Sequence, residues 1–154
     1  RFSTILRDVL TRLSVEQSRA NIQKMSTLLR QTFGEDILAK VMAEDVKKDD
    51  DEFIVIDGIR RLADIKYLRD VPGFFLVSVE AGEDIRYKRV VERNENPGDD
   101  KKTFEEFLAD DAAETEEQIP GTMAKADFKI DNNGTWDELW EQIHELVKKI
   151  NGLQ

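Results

Sequence analysis

Two unbroken apolar runs, set among segments with helical periodicity, limit most strongly what this chain can fold into. FIVID occupies residues 53–57, and FFLVSVEA starts at Phe74. Runs this short and continuous read as strands covered on both faces. DFKID, at residues 127–131, is a third and shorter strand before the Asn133-Gly134 turn. Strands alternating with amphipathic helices predict an α/β fold whose parallel strands are joined by right-handed crossovers.

The helices between them follow from spacing. Ile5, Leu6, Val9, Leu10 and Leu13 predict a helix over residues 4–13 with Ser3 as its N-cap. A second is expected over residues 18–32, with Ile22, Met25, Leu29 and Phe33 inward and Gly34 ending it in a left-handed cap. A third starts at Asp36 and carries Ile37, Leu38, Val41, Met42 and Val46, after which KKDDDE at residues 47–52 reads as a solvated loop. Leu62, Ile65 and Leu68 predict a short helix closed by Pro72 and Gly73, and residues 84–93 return to helix. Residues 94–125 then interrupt the rhythm. NENPGDDKK predicts a mobile loop, and Thr103 with Glu106 opens a helix with Phe104, Phe107 and Leu108 inward. Such an excursion suits a lid or an acidic surface hairpin. In the last helix Thr135 and Glu138 form a capping box, Trp136, Leu139, Trp140, Ile143, Leu146, Val147 and Ile150 make a core stripe, and Gly152 ends it.

Composition narrows the function. A length of 154 residues with 40% hydrophobic content fits one domain with a real core. With no cysteine, a disulfide framework, a thiolate metal site and a Cys nucleophile are excluded, and a reducing cytoplasm is the expected home. A formal net charge of -10 argues against a polynucleotide or anionic membrane as partner. No apolar stretch approaches the roughly 20 residues needed to cross a bilayer. All eleven arginines nevertheless lie at or before Arg93, a bias that suits aiming rigid bidentate cations at a small anion.

The densest chemistry is in IDGIRR. Asp57 can order a hydrated Mg²⁺, Gly58 lets backbone pass close to a ligand, and Arg60 or Arg61 can clamp a phosphate. The plain alternative is a buried strand followed by a surface turn with solvated arginines. Arg86, Arg89 and Arg93 recur at i, i+3 and i+7, so they share one helix face and can form a rail for phosphates; an exposed helix ion-paired through Asp84 and Glu92 looks similar. Ser3, Thr4 and Arg7 place two hydroxyls and a guanidinium at one helix start, where backbone donors favour anions, although alone they describe a capped helix. His144, at the edge of the last apolar stripe, is a boundary residue rather than a base.

In order and spacing these segments resemble the nucleotide-kinase branch of the P-loop NTPases, the adenylate-kinase and dephospho-CoA-kinase-like proteins. RFSTILR looks like the monophosphate-site segment ending in a phosphate-binding arginine, here Arg7. SRANIQKMSTLLRQTFG is similar to its second half, with Arg30 as a further phosphate ligand and Gln23 as a base or ribose contact. IDGIRR corresponds to the Asp-Gly segment, with Ile59 and Arg60 where an aromatic and a proline are usual. RYKRVVER resembles the lid hinge, in which Arg89 and Arg93 reach the donor phosphates, and ADFKIDNNGTWDEL the closing strand, turn and helix beside the donor adenine, with Asn132 and Gly134 at the turn.

The resemblance implies a three-layer α/β/α P-loop fold in one kinase-like domain. Residues 3–50 would be its helical monophosphate region, residues 53–93 and 126–152 its core, and residues 94–125 a lid. It implies ATP and Mg²⁺ as cofactors and a nucleoside monophosphate or similar small acceptor as substrate, with dephospho-CoA kinase and a non-catalytic nucleotide-binding or interaction module as alternatives. Two departures stand out. GxxxxGK(S/T) occurs nowhere in these residues, and no arginine follows Arg93, which leaves Lys101 or Lys102 as substitutes. The first strand and the glycine-rich loop are therefore expected outside this chain. By itself the chain is expected to be inert, with its open sheet completed by a preceding segment, by a partner chain's strand in a homo-oligomer, or by rearrangement.

Overall fold

Apolar residues at a 3.6-residue period make the first half of the chain helical, and each helix buries one stripe. The computed structural model describes residues 1–94, 98–112 and 118–152. In it α1 spans Phe2–Arg12, α2 Arg19–Phe33 and α3 Ile37–Lys48. These helices belong to Arg1–Phe74, the first of two units into which the chain divides; the second is Phe75–Gln154. Phe2 and Leu6 of α1, Leu38, Ala39, Met42 and Ala43 of α3, and Leu68 form the buried cluster of the first unit, against which Ile22, Met25 and Leu29 of α2 pack. The Ser18 hydroxyl caps α2 by accepting from the Asn21 amide, and Gly34 ends it at φ +106, donating its N–H to the Arg30 carbonyl.

Several expectations for this unit need correction. Ser3 is not the cap of α1: the helix begins at Phe2, two residues before the expected start, which buries the Phe2 ring and carries Ser3 into the first turn. Phe33 is exposed and Arg30 takes the inward place, because Arg30 has a buried carboxylate to meet. Lys47 and Lys48 are the last turn of α3 rather than loop. The short helix after the arginines is two 3₁₀ turns, Leu62–Ile65 and Leu68–Asp70, in which Ile65 and Leu68 are buried and Leu62 is exposed.

The largest correction concerns FIVID. Residues 53–57 belong to no strand, and Phe53, Ile54 and Val55 stand exposed, Val55 at 77%. An apolar run becomes a strand only by pairing, and the backbone bond here goes from the Phe2 amide to the Asp57 carbonyl, in α1, rather than to a neighbouring strand.

In the second unit β1, Val77–Glu80, pairs in parallel with β2, Phe128–Asp131, with Val77 opposite Phe128 and Glu80 opposite Asp131. Among the described residues the fold is therefore a mostly helical α/β arrangement with a two-stranded parallel sheet. Between the strands run α4 (Glu83–Arg93), a 3₁₀ turn (Asp99–Lys101), α5 (Phe104–Asp111) and α6 (Ile119–Met123), and α7 (Trp136–Asn151) follows β2. The strand after Phe74 is shorter than its apolar run. Its Val79 is exposed, so it is not covered on both faces. Both expected capping boxes are present: Thr103 and Thr135 accept from the amides of Glu106 and Glu138, whose carboxylates accept in return. The stripe of α7 is not core at its start. Trp136 is 75% exposed, Trp140 is exposed too, and burial within the helix falls on Ile150. In the lid-like excursion Tyr87 stacks edge-on to Phe104 at 5.3 Å and donates its hydroxyl to the Lys102 carbonyl at 3.0 Å. Part of the expected mobile loop, residues 95–97, lies outside the described residues. No helix among the described residues is long and apolar enough to cross a membrane.

Candidate functional site

In the first unit one carboxylate organises the arginines. Asp64, in the 3₁₀ turn after Arg61, is buried; its Oδ1 accepts from Arg30 Nη2 at 2.8 Å, while Oδ2 accepts from the amides of Arg60 at 3.2 Å and Arg61 at 3.1 Å. The turn forms because Asp64 stands three residues after Arg61, where a carboxylate reaches back to the first amides. Arg30 is 8% exposed and also donates to Ser26 Oγ and to the Glu35 carbonyl. Arg61 Nη1 meets Glu35 Oε2 at 2.9 Å. Arg30 and Arg61, predicted apart in sequence as phosphate ligands, thus come together around one loop. Asp64 and Glu35 were not foreseen; the Arg61-Leu62-Ala63-Asp64 spacing was the available signal for Asp64.

The corner between α2 and α3 braces the same loop. Asp36 accepts from Lys66 Nζ at 2.6 Å and from the Tyr67 hydroxyl at 3.2 Å. The Lys66 hydrogen bond, against some desolvation and with help from Tyr67, holds the Asp36 carboxyl below its ordinary value, and the same bond raises the Lys66 pKa. The sign follows from linkage. A depressed carboxyl contributes stability above its unfolded pKa and loses it as pH falls through the folded value, whereas the raised lysine contributes below its unfolded pKa and loses it as pH rises through its folded one. Urea midpoints measured from pH 6 downward are therefore expected to fall more in the native protein than in Asp36→Asn, in the acid window below about pH 4. Parallel curves would show that this bond carries no pH-dependent stability.

The remaining candidates of this unit are more open. Gly58 has φ +93, and a Cβ there would approach Phe2 at 4.0 Å, so conformation and not space selects glycine. Asp57 is exposed and pairs with Arg1 Nε at 3.1 Å. Arg60 and Thr4 are exposed, Ser3 is half-buried in the first turn of α1, and Gln23 faces solvent on α2. Arg7 donates to Gln17 Oε1 at 3.3 Å. Among the described residues no cluster of three or more His, Cys, Asp or Glu side chains forms a cage for a bare metal ion. Asp57 suits a Mg²⁺ that keeps waters and takes its other ligands from phosphates.

In the second unit the arginine face of α4 is partly committed. Arg86 forms a bidentate pair with Asp111 of α5, Nη2 meeting Oδ2 at 2.9 Å, and lies over the Phe107 ring at 5.4 Å. Arg89 Nη1 donates to the Asn132 carbonyl at 2.8 Å, while Arg93 is exposed in the last turn. The Asn132 amide donates to Glu80 at 2.7 Å and Asn133 Oδ1 accepts from Gly82 at 2.7 Å, which fastens the turn after β2 to the start of α4. Gly134 leaves room for the cap beside it: a Cβ there would sit 2.1 Å from Glu138 Oε2, so the Glu138 side chain would have to shift. That Glu138 carboxyl is held below its ordinary value by the Thr135 amide and hydroxyl. Lys102, considered for the missing lid arginine, pairs with Asp110 at 2.8 Å. His144 is exposed, with Nδ1 2.9 Å from the Trp140 carbonyl, as a boundary residue would be.

No family model matches the chain. Among curated proteins it is similar to a UPF0200 protein of Thermococcus kodakarensis, with 30% identity over 151 residues, 95% of this chain and 80% of that one. A UPF0200 protein of Hyperthermus butylicus is 26% identical over 148 residues, 96% of this chain and 78% of its own. One from Saccharolobus islandicus is 28% identical over 124 residues, 79% of this chain and 65% of its own. Identity at the level of the Thermococcus protein, sustained over four-fifths of its length, settles membership: the chain belongs to the UPF0200 family.

Proposed function

We propose that the intact protein is a P-loop nucleotide kinase of the three-layer α/β/α class, which transfers the γ-phosphoryl of ATP, with Mg²⁺, to a nucleoside monophosphate or a similar small acceptor. The observation that carries this reading is Arg61. Its backbone is fixed by a buried carboxylate, while its guanidinium, 19% exposed, rests on an exposed carboxylate whose place a phosphate oxygen can take. In the first unit Arg61 holds the acceptor phosphate with Arg60 beside it, Arg7, Ser3 and Thr4 lie on α1 for the same anion, and Gln23 contacts base or ribose. Arg30, with three acceptors around it, stands behind Arg61.

In the second unit Arg89 and Arg93 would meet the donor phosphates, and the turn at Asn132 and Gly134 would border the donor adenine. Asp57, in the first unit, would hold a hydrated Mg²⁺, which when bound would supply charge compensation for the donor phosphates. Transfer of this kind is mostly positioning and electrostatics, so none of these residues needs to move a proton. Dephospho-CoA kinase is the nearest variant, with a ribose hydroxyl as acceptor. A non-catalytic nucleotide-binding module is the alternative from another class.

A thermal-shift panel on the intact protein separates acceptors. A nucleoside monophosphate at about 100 times its Kd should add about 2.7 kcal/mol of stability, a rise of about 5 °C or more, and adenosine should add little. A shift with dephospho-CoA alone would select the variant acceptor. No shift with any phosphorylated ligand would contradict the proposal.

A further inference from the structure

Arg30 and Arg61 approach one loop from two sides and are held in different ways. Moving the Arg30 guanidinium breaks a buried pair with Asp64. Arg61 is anchored through its amide, while its guanidinium meets Glu35, a side chain 64% exposed. A carboxylate that exposed gives up little on turning to water. The corner need not move with it, because the Glu35 carbonyl stays on Arg30 and Asp36 stays on Lys66 and Tyr67. A phosphomonoester offers the arginine fork the same spacing of oxygens with more charge.

We propose that Glu35 is the resident counter-anion of the phosphate site: it holds the Arg61 fork until a phosphate replaces it, and so sets how tightly a phosphorylated ligand binds. This rests on the reading of Arg61 as a phosphate ligand. Because the exchange is carboxylate for phosphate, the site favours a dianionic phosphate ester over a monocarboxylate or an unphosphorylated nucleoside. Glu35 is exposed, so Glu35→Gln keeps shape and fold while removing the competing charge.

The test is calorimetric titration of AMP and, separately, pyrophosphate into the intact protein, Glu35→Gln, Arg61→Ala and the double variant. Glu35→Gln should bind both ligands about two- to five-fold more tightly, the scale of one exposed ion pair, and the double variant should gain nothing over Arg61→Ala. AMP bound equally or more weakly by Glu35→Gln overturns the counter-anion and leaves the nucleotide site standing. A gain that persists without Arg61 also overturns it, since the effect is then one of general charge. Pyrophosphate tightened by Glu35→Gln with no AMP binding supports the counter-anion and removes the nucleotide reading. Absence of binding by either ligand to any form overturns both.

Discussion

Asp64→Ala is expected to lower stability by about 3–5 kcal/mol, the cost of leaving a buried charge without its partner. Arg30 would keep Ser26 and the Glu35 carbonyl but no counter-charge, and the amides of Arg60 and Arg61 would lose their acceptor. These losses share one group, so they do not add. Arg30→Met combined with Asp64→Leu should recover part of the loss, because no charge is then left buried. The exposed pair Lys148–Glu145, at 2.8 Å, gives the comparison: Glu145→Ala should cost less than about 1 kcal/mol. Urea unfolding followed by circular dichroism measures all four proteins. A loss from Asp64→Ala no larger than that from Glu145→Ala would mean that the hub does not organise the loop.

Local chemistry was legible in the chain, and long-range pairing was not. Both capping boxes and the Gly34 and Gly152 ends of helices depend on residues within a few positions of one another, so sequence spacing specifies them. Val77–Glu80 and Phe128–Asp131 fall inside apolar runs bounded by turn residues. FIVID shows the limit of such signals, because an apolar run states a wish for burial and not which strand will supply it. The same limit produced the core assignment for Trp136 and Trp140: periodicity gives a stripe, and only packing says which part of it is covered. Arg30 reads as a free cation until Asp64 arrives from 34 residues away, and Arg86 reads as part of a rail until Asp111 arrives from 25.

The same distinction marks the site. IDGIRR is the loop that carries Arg60 and Arg61, and the structure adds that Arg30, from α2, is committed to the buried Asp64 while Arg61 meets an exposed carboxylate. Arg61→Ala is accordingly the second large expectation, a loss of about 2–4 kcal/mol in kcat/KM, the scale of removing a charge-assisted donor from a closed site. Its fold should survive, because Asp64 binds the backbone of residue 61 and not its side chain. Lys149→Ala, far from any named role, should change kcat/KM hardly at all.

The most direct measurement is ADP release by the intact protein from ATP and Mg²⁺, with and without each nucleoside monophosphate, for the native form and Arg61→Ala. The proposal predicts turnover that requires the acceptor and falls by about thirty- to a thousand-fold in Arg61→Ala, the kinetic equivalent of that energy. Acceptor-independent ADP release, no release at all, or equal rates in the two proteins would contradict it.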